Sequence, residues 1–296
     1  MLNVDHRHPD RILDQGQPSS MAEQAAVMRA VHQLIDGEPK IFADPLALKI
    51  LGPVGERWVR DNLDKYRPAY MASGRVLTAI RSQFAEERLL ASMQRGTAQY
   101  VILGAGLDTF AWRHAELAGR LAIFEVDHPA TQQWKRSRLS EVGLGVPGHV
   151  QFVAVDFQRD SLATMLAASG FSRTRPAFFS WLGVTYYLTP EAAFDTLCYV
   201  ATQDAASEVV FDFALEDAAM SPRFREQIAK LMTSMVKRGE PWLTRFEPTA
   251  LQARLRASGF AGTFYLSEAL ATERYLRARP DRLELGEAVQ IMAAWK

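Results

Sequence analysis

Cysteine is almost missing from this chain of 296 residues: Cys198 stands alone, which excludes an internal disulfide and a thiolate zinc cage. A lone thiol fits a reducing compartment, so the cytoplasm is the expected location and no metal site is expected. Net charge is missing too. Lys and Arg total 34 against 34 for Asp and Glu, which leaves no global field to hold a nucleic-acid backbone or an anionic membrane surface. Long apolar runs are also lacking. The longest near-apolar stretch, Ala177 to Val184, falls far short of the ~20 residues of a membrane span. Residues 1 to 18 lack both periodicity and a signal-type apolar segment, and with Pro9, Gly16 and Pro18 they read as a flexible leader.

What is present is core-forming material: 48% of residues are hydrophobic and 10% aromatic, enough for a globular α/β chain. Apolar positions recur at helical spacing from Ser20 to Leu34 and stop at Asp36-Gly37. A second helix is expected after Asp44-Pro45, and a longer one from about Tyr70 to Met93. Residues 19–95 thus form a helical cap ahead of the first strand.

Short apolar runs alternating with helices follow, the pattern of a Rossmann-like, doubly wound, mostly parallel sheet. Seven strands are predicted: Tyr100–Leu103, Leu121–Val126, Val150–Val155, Ala177–Leu182, Glu208–Phe213, Thr263–Leu266 and Val289–Ala293. Helices are predicted over Thr131–Glu141, Asp160–Ala168, Pro190–Ala201 and Pro248–Ser258. Residues 215–246 are an insertion after the fifth strand, of the kind that builds a lid or a substrate wall. With no repeat or linker, 19–296 reads as one domain.

The chemistry concentrates at strand ends. Tyr100-Val-Ile-Leu-Gly104-Ala105-Gly106-Leu-Asp108 runs a buried strand into a glycine turn, where backbone without Cβ atoms can approach a ligand. The dinucleotide fingerprint would need a third glycine where Thr109 stands, so a nicotinamide-dependent oxidoreductase is the disfavoured alternative. The next strand ends in Glu125-Val-Asp127, where a carboxylate can accept both hydroxyls of a ribose. If Phe124 and Val126 face one helical layer, the two acids face the other, and Asp127 lies nearer the crevice. A helix cap at Pro129 is the plainer reading of either acid. Asp156-Phe157, ending the third strand, suits the amine and ring of an adenine, or again a cap. Three successive signals suggest a nucleoside ligand.

These residues carry a resemblance. Arg81-Ser-Gln-Phe-Ala-Glu86, the glycine turn, Phe124-Glu-Val-Asp127-His128-Pro129, Val153-Ala-Val-Asp156-Phe157 and Phe178-Phe-Ser180-Trp-Leu-Gly183-Val-Thr-Tyr186-Tyr187-Leu188-Thr-Pro190-Glu are similar to the leucine carboxyl methyltransferase family, over about residues 20–295. Within that family they resemble the bacterial branch with polyketide carboxyl O-methyltransferases. The resemblance implies a class I methyltransferase domain with S-adenosyl-L-methionine as cofactor. It implies that Arg81 pairs with the donor's carboxylate and that Gly104, Ala105 and Gly106 lie beneath its amino-acid moiety. Asp127, next to His128, takes the ribose in this scheme, Asp156 and Phe157 take the adenine, and Ser180 completes the site. Many relatives carry glutamate where this chain has Leu182, so a carboxylate contact to the donor's ammonium is absent or supplied elsewhere.

Methyl transfer from a sulfonium needs alignment and exclusion of water rather than a catalytic triad. An ionised carboxylate acceptor needs no base; a hydroxyl would, and His114 and His128 are the candidates, although lone histidines near strand ends are more often structural. Tyr186 and Tyr187, on the crevice side, are candidate acceptor contacts. Between Ser221 and Arg256 eight Lys or Arg face three Glu, an excess that includes Lys237 and Arg238 and would favour an anionic small-molecule acceptor. A non-catalytic nucleoside-binding protein of the same fold is the remaining alternative.

Overall fold

The computed structural model describes residues 20–156, 159–237 and 241–296, so the expected leader lies outside the described residues. Its strands are β1 Gln99–Leu103, β2 Ala122–Asp127, β3 Val150–Ala154, β4 Ala177–Trp181, β5 Ser207–Ala214, β6 Gly262–Leu266 and β7 Val289–Trp295. They form one sheet in the order β3-β2-β1-β4-β5-β7-β6. Pairings from β3 through β5 are parallel, whereas β7 runs antiparallel between β5 and β6.

Strand composition follows from burial on both faces. Val101, Leu103, Phe124, Val126, Phe179 and Trp181 point into one apolar layer, and their neighbours Tyr100, Ile102, Ile123, Phe178 and Val210 point into the other. Alternate residues therefore meet different helices, and a strand with two buried faces cannot alternate with polar residues.

The helices are α1 Ser20–Ile35, α2 Gly52–Asp61, α3 Ala69–Met93, α4 Phe110–Arg113, α5 Pro129–Glu141, α6 Leu162–Ala168, α7 Pro190–Ala201, α8 Pro222–Lys237, α9 Pro248–Ala257 and α10 Glu268–Ala271. Ser161, Thr189 and Ser267 cap α6, α7 and α10 through side-chain oxygens, and proline opens α5, α7 and α9. From α3, Val76, Ala79, Ile80, Phe84 and Leu89 bury one stripe in the second layer, each contributing ~1.5–3 kcal/mol for its larger side chains. Packing of α1 against α2 is completed by Leu107 and Leu139, so the preface reaches the glycine turn and α5.

One helix start was misplaced by the sequence pattern. The segment after Asp44-Pro45 forms turns and a short 3-10 stretch at Lys49–Leu51, and α2 begins only at Gly52. Asp44 is drawn into the core instead. It is fully buried, accepting from Arg29 Nε at 2.9 Å and from Thr109 Oγ1 at 2.9 Å. Smaller differences lie at strand ends, with β3 stopping at Ala154 and β4 at Trp181, one residue before the expected limits.

Candidate functional site

The order of strands reverses between β1 and β4, and open α/β sheets bind ligands at the carboxyl edge of such a switch point. There β1 enters the glycine turn, where Gly104 and Gly106 adopt φ of 70° and 48°. A Cβ at Gly104 would lie 2.6 Å from Val184 Cγ2, and one at Gly106 would lie 2.8 Å from Ala22 Cβ. Both the conformation and the space therefore call for glycine. The turn is held by Gly104 and Ala105, whose N–H groups donate to the Val126 carbonyl at 2.9 and 3.0 Å.

Asp127 closes β2 beside this turn. Its Oδ2 accepts from Gly106 N at 2.6 Å and its Oδ1 from His128 N at 2.7 Å. Burial pushes its carboxyl above the usual range, and these two N–H groups pull it back. Glu125 takes no part in the crevice: it is fully buried, with Lys135 Nζ 2.5 Å from Oε2 and, among the described residues, no partner on Oε1. Burial pushes its carboxyl up to about 7 against the pull of Lys135. The expected division holds geometrically, with Phe124 and Val126 in one layer and Glu125 on the α5 side.

Arg81 reaches the crevice from α3. Its Nη1 donates to Asp212 Oδ2 at 2.7 Å and lies 3.5 Å from the Tyr186 hydroxyl. Ser180, 2% exposed, shares a 2.8 Å hydrogen bond with Tyr100 Oη. Arg81, Ser180, Gly104, Ala105 and Gly106 line one cavity, which Leu182, Asp108, Thr78 and Ser82 also line. From α1, Ala22, Ala25 and Arg29 close it. Arg29 is fastened there, Nη2 donating to the Leu107 carbonyl at 2.6 Å. The cavity measures only about 60 Å³.

The remaining candidates divide. Asp156 stands at the end of β3, its N–H donating to Asp160 Oδ2 at 2.9 Å and its carboxylate 3.7 Å from Arg159 Nε. Phe157 and Arg238 lie outside the described residues, as does the side chain of Lys237. Tyr186 is buried, with Tyr187 and Trp242 at ring-centroid distances of 4.7 and 5.0 Å. Trp242 Nε1 is a buried donor without a partner among the described residues. Burial raises the Tyr186 phenol well above its ordinary value.

Both histidines have duties in the fold. His128 caps α5, its Nδ1 accepting from Ala130 N at 3.2 Å. His114 stacks on Phe110 at 4.5 Å and joins Glu86 and Glu116; the Glu86 hydrogen bond raises its pKa. Sequence reasoning missed Asp212. The signal was available, because an aspartate inside an apolar strand is seldom buried without a partner.

Similarity to known proteins bears on the family and the fold. The model of the leucine carboxyl methyltransferase family matches residues 22–201, more than half of the chain. The chain belongs to that family. It is a class I methyltransferase dependent on S-adenosyl-L-methionine, which sets aside the nicotinamide alternative. A protein of Bacillus subtilis (strain 168), YktD, is 35% identical over 217 residues, 73% of this chain and 71% of its own. One from Mycobacterium avium (strain 104) is 31% identical over 209 residues, 69% of this chain and 60% of its own. Both are named as S-adenosyl-L-methionine-dependent methyltransferases. Among solved structures, a protein from Thermobifida fusca YX named as a methyltransferase is 17% identical with a TM-score of 0.54, covering 96% of each chain. A DUF574 family protein from Streptomyces avermitilis MA-4680 is 14% identical with a TM-score of 0.55, covering 92% of this chain and 97% of its own. At such identities these two speak for the fold alone. Among the described residues no helix is long and apolar enough to cross a membrane, and no cluster of three His, Cys, Asp or Glu could hold a metal.

Proposed function

We propose that the protein methylates an ionised carboxylate oxygen of a small anionic acceptor, in the manner of the carboxyl-methylating polyketide branch of its family. The bound donor supplies a methyl group on a sulfonium that already carries its leaving group. The residues fit such a donor in kind. The cradle at Gly104 and Gly106 has room only for glycine, Asp127 offers a carboxylate to ribose hydroxyls, and Arg81 offers a guanidinium to a carboxylate. Ala105 and Ser180 line the same cavity, while His128 and Asp156 stand at the neighbouring strand ends.

The observation that carries the choice of acceptor is that each candidate base is already committed. His128 spends Nδ1 on the cap of α5, and His114 is held by Glu86 and Glu116. An acceptor that arrives ionised needs neither, since a carboxylic acid with a pKa near ~4 has lost its proton at neutral pH. Tyr186 and Tyr187 form the acceptor-side wall, with Lys237 and Arg238 in the 215–246 insertion supplying cationic character. The 19–95 segment is a cap over the donor, within one methyltransferase domain spanning 19–296.

The test is a panel of carboxylic acids incubated with donor labelled in its methyl group. A methyl ester releases labelled methanol in mild alkali, and turnover at saturation stays flat between pH 6 and 8. Alkali-stable label, or a rate that rises through that interval and is lost on replacing His114 or His128, overturns the reading in favour of a hydroxyl.

A further inference from the structure

We propose that Asp212 is a positioning residue that holds Arg81 in register for the donor's carboxylate, an inference that rests on the donor reading of the cleft. Asp212 lies on β5 one residue past the last β4–β5 pair, Trp181 with Phe211, so it stands abreast of Leu182. It is fully buried, and both carboxylate oxygens are used. Oδ1 accepts from Gly183 N at 2.7 Å and Oδ2 accepts from Arg81 Nη1 at 2.7 Å. The backbone of the β4 loop thus fixes the acid, and the acid fixes the guanidinium.

Gly183 completes the clamp. It has a φ of 78°, and a Cβ there would sit 2.9 Å from Arg81 Nη2 and 3.1 Å from Nη1. The guanidinium therefore rests directly on glycine backbone, with the Tyr186 hydroxyl 3.5 Å from Nη1. Nε and Nη2 make no hydrogen bond with any described residue, and the Arg81 side chain lines the cavity. Those two atoms form one edge of the planar fork that binds a carboxylate bidentately. One edge is anchored and the other is presented.

Charge supports the same assignment. A guanidinium this deeply buried needs a counter-charge, and Asp212 supplies it without occupying the presenting edge. The resulting pair is neutral, so it has little pull on a bare anion and suits the carboxylate of a zwitterionic amino-acid group. A carboxylate at the β4 edge therefore comes from the neighbouring strand, while position 182 is leucine.

The test uses calorimetry with two ligands, S-adenosylhomocysteine and its analogue lacking only the carboxyl group. Wild type should prefer the first. Asp212→Asn keeps the shape and an acceptor for Gly183 N, and should weaken S-adenosylhomocysteine about tenfold while changing the analogue less than about twofold. In an Arg81→Gln background, Asp212→Asn should add nothing further, because the acid acts only through the arginine. Should Asp212→Asn fail to fold by circular dichroism, Asp212→Glu keeps the charge, displaces the guanidinium and should show the same selective loss. Equal weakening of both ligands, or additivity with Arg81→Gln, overturns the role of Asp212 and leaves the donor reading standing. Absence of S-adenosylhomocysteine binding to wild type overturns both.

Discussion

Asp127→Asn separates two duties of one side chain. In the protein the carboxylate accepts from two backbone donors, Gly106 N at 2.6 Å and His128 N at 2.7 Å. An asparagine offers one oxygen, so one of those N–H groups would face an amide NH2 and stay unpaired, at a cost of about 1–3 kcal/mol. A domain of this size loses roughly 1.5–2 °C in Tm per kcal/mol, so scanning fluorimetry should show a fall of about 2–5 °C. Donor affinity should drop separately. Loss of a ribose contact to a charged group costs about 1–3 kcal/mol, or roughly 5- to 150-fold in Kd for S-adenosylhomocysteine. An unchanged Tm would refute the bonding scheme, and unchanged affinity beside a Glu125→Gln variant that no longer binds would show that the wrong acid was assigned.

Glu125 should leave a mark on pH dependence. Its folded carboxyl titrates near 7 against 4.5 for the free group, so its stabilising contribution is complete below about 4.5 and is lost as pH rises through about 7. Urea midpoints at pH 5 and 7.5 should therefore differ more in wild type than in Glu125→Gln, and equal pH slopes would refute this. Gly104→Ala forces a Cβ to 2.6 Å from Val184 Cγ2 at a φ of 70°, and should cost about 1–2 kcal/mol in strain beyond the clash. Val184→Ala should relieve the clash but not the strain, and full rescue in thermal melts would disprove the conformational part. Arg29→Ala should loosen α1, which Arg29 ties to Asp44 and the Leu107 carbonyl. Since ligand pockets span about 300–1,000 Å³ and this cavity is about 60 Å³, α1 should shift on ligand entry. Hydrogen exchange in residues 20–35 that ignores saturating S-adenosylhomocysteine in wild type would refute that shift.

The sheet was legible because its inner strands are buried on both faces and read as apolar runs ending in glycine or acid, as at Leu103-Gly104 and Val126-Asp127. The antiparallel insertion of β7 between β5 and β6 was not, since a strand's own pattern carries no record of its neighbours. Asp127 could be preferred to Glu125 from alternation and position, yet the pairing of Glu125 with Lys135, from the expected Thr131–Glu141 helix, is a tertiary contact that the pattern does not carry. Asp44 misled for the same reason: its place in the core is set by Arg29 and Thr109, distant in sequence. The place of α1 was not legible either: it lies against the glycine turn, with Ala22 beside Gly106, a contact between residues far apart in sequence. Arg81 could be picked from its place in the family pattern; Asp212 stood out only as an aspartate inside an apolar strand, and its pairing with Arg81 required the register of β4 against β5.

Calorimetric titration of the wild-type protein with S-adenosylhomocysteine, alongside NAD at matched concentrations, decides whether the glycine turn, Asp127 and Arg81 form a methyl-donor site. One saturable site for S-adenosylhomocysteine, weakened at least fivefold by Asp127→Asn and by Arg81→Lys, with no heat from NAD, is the expected result. Binding that neither variant disturbs, or no binding at all at millimolar ligand, would contradict it.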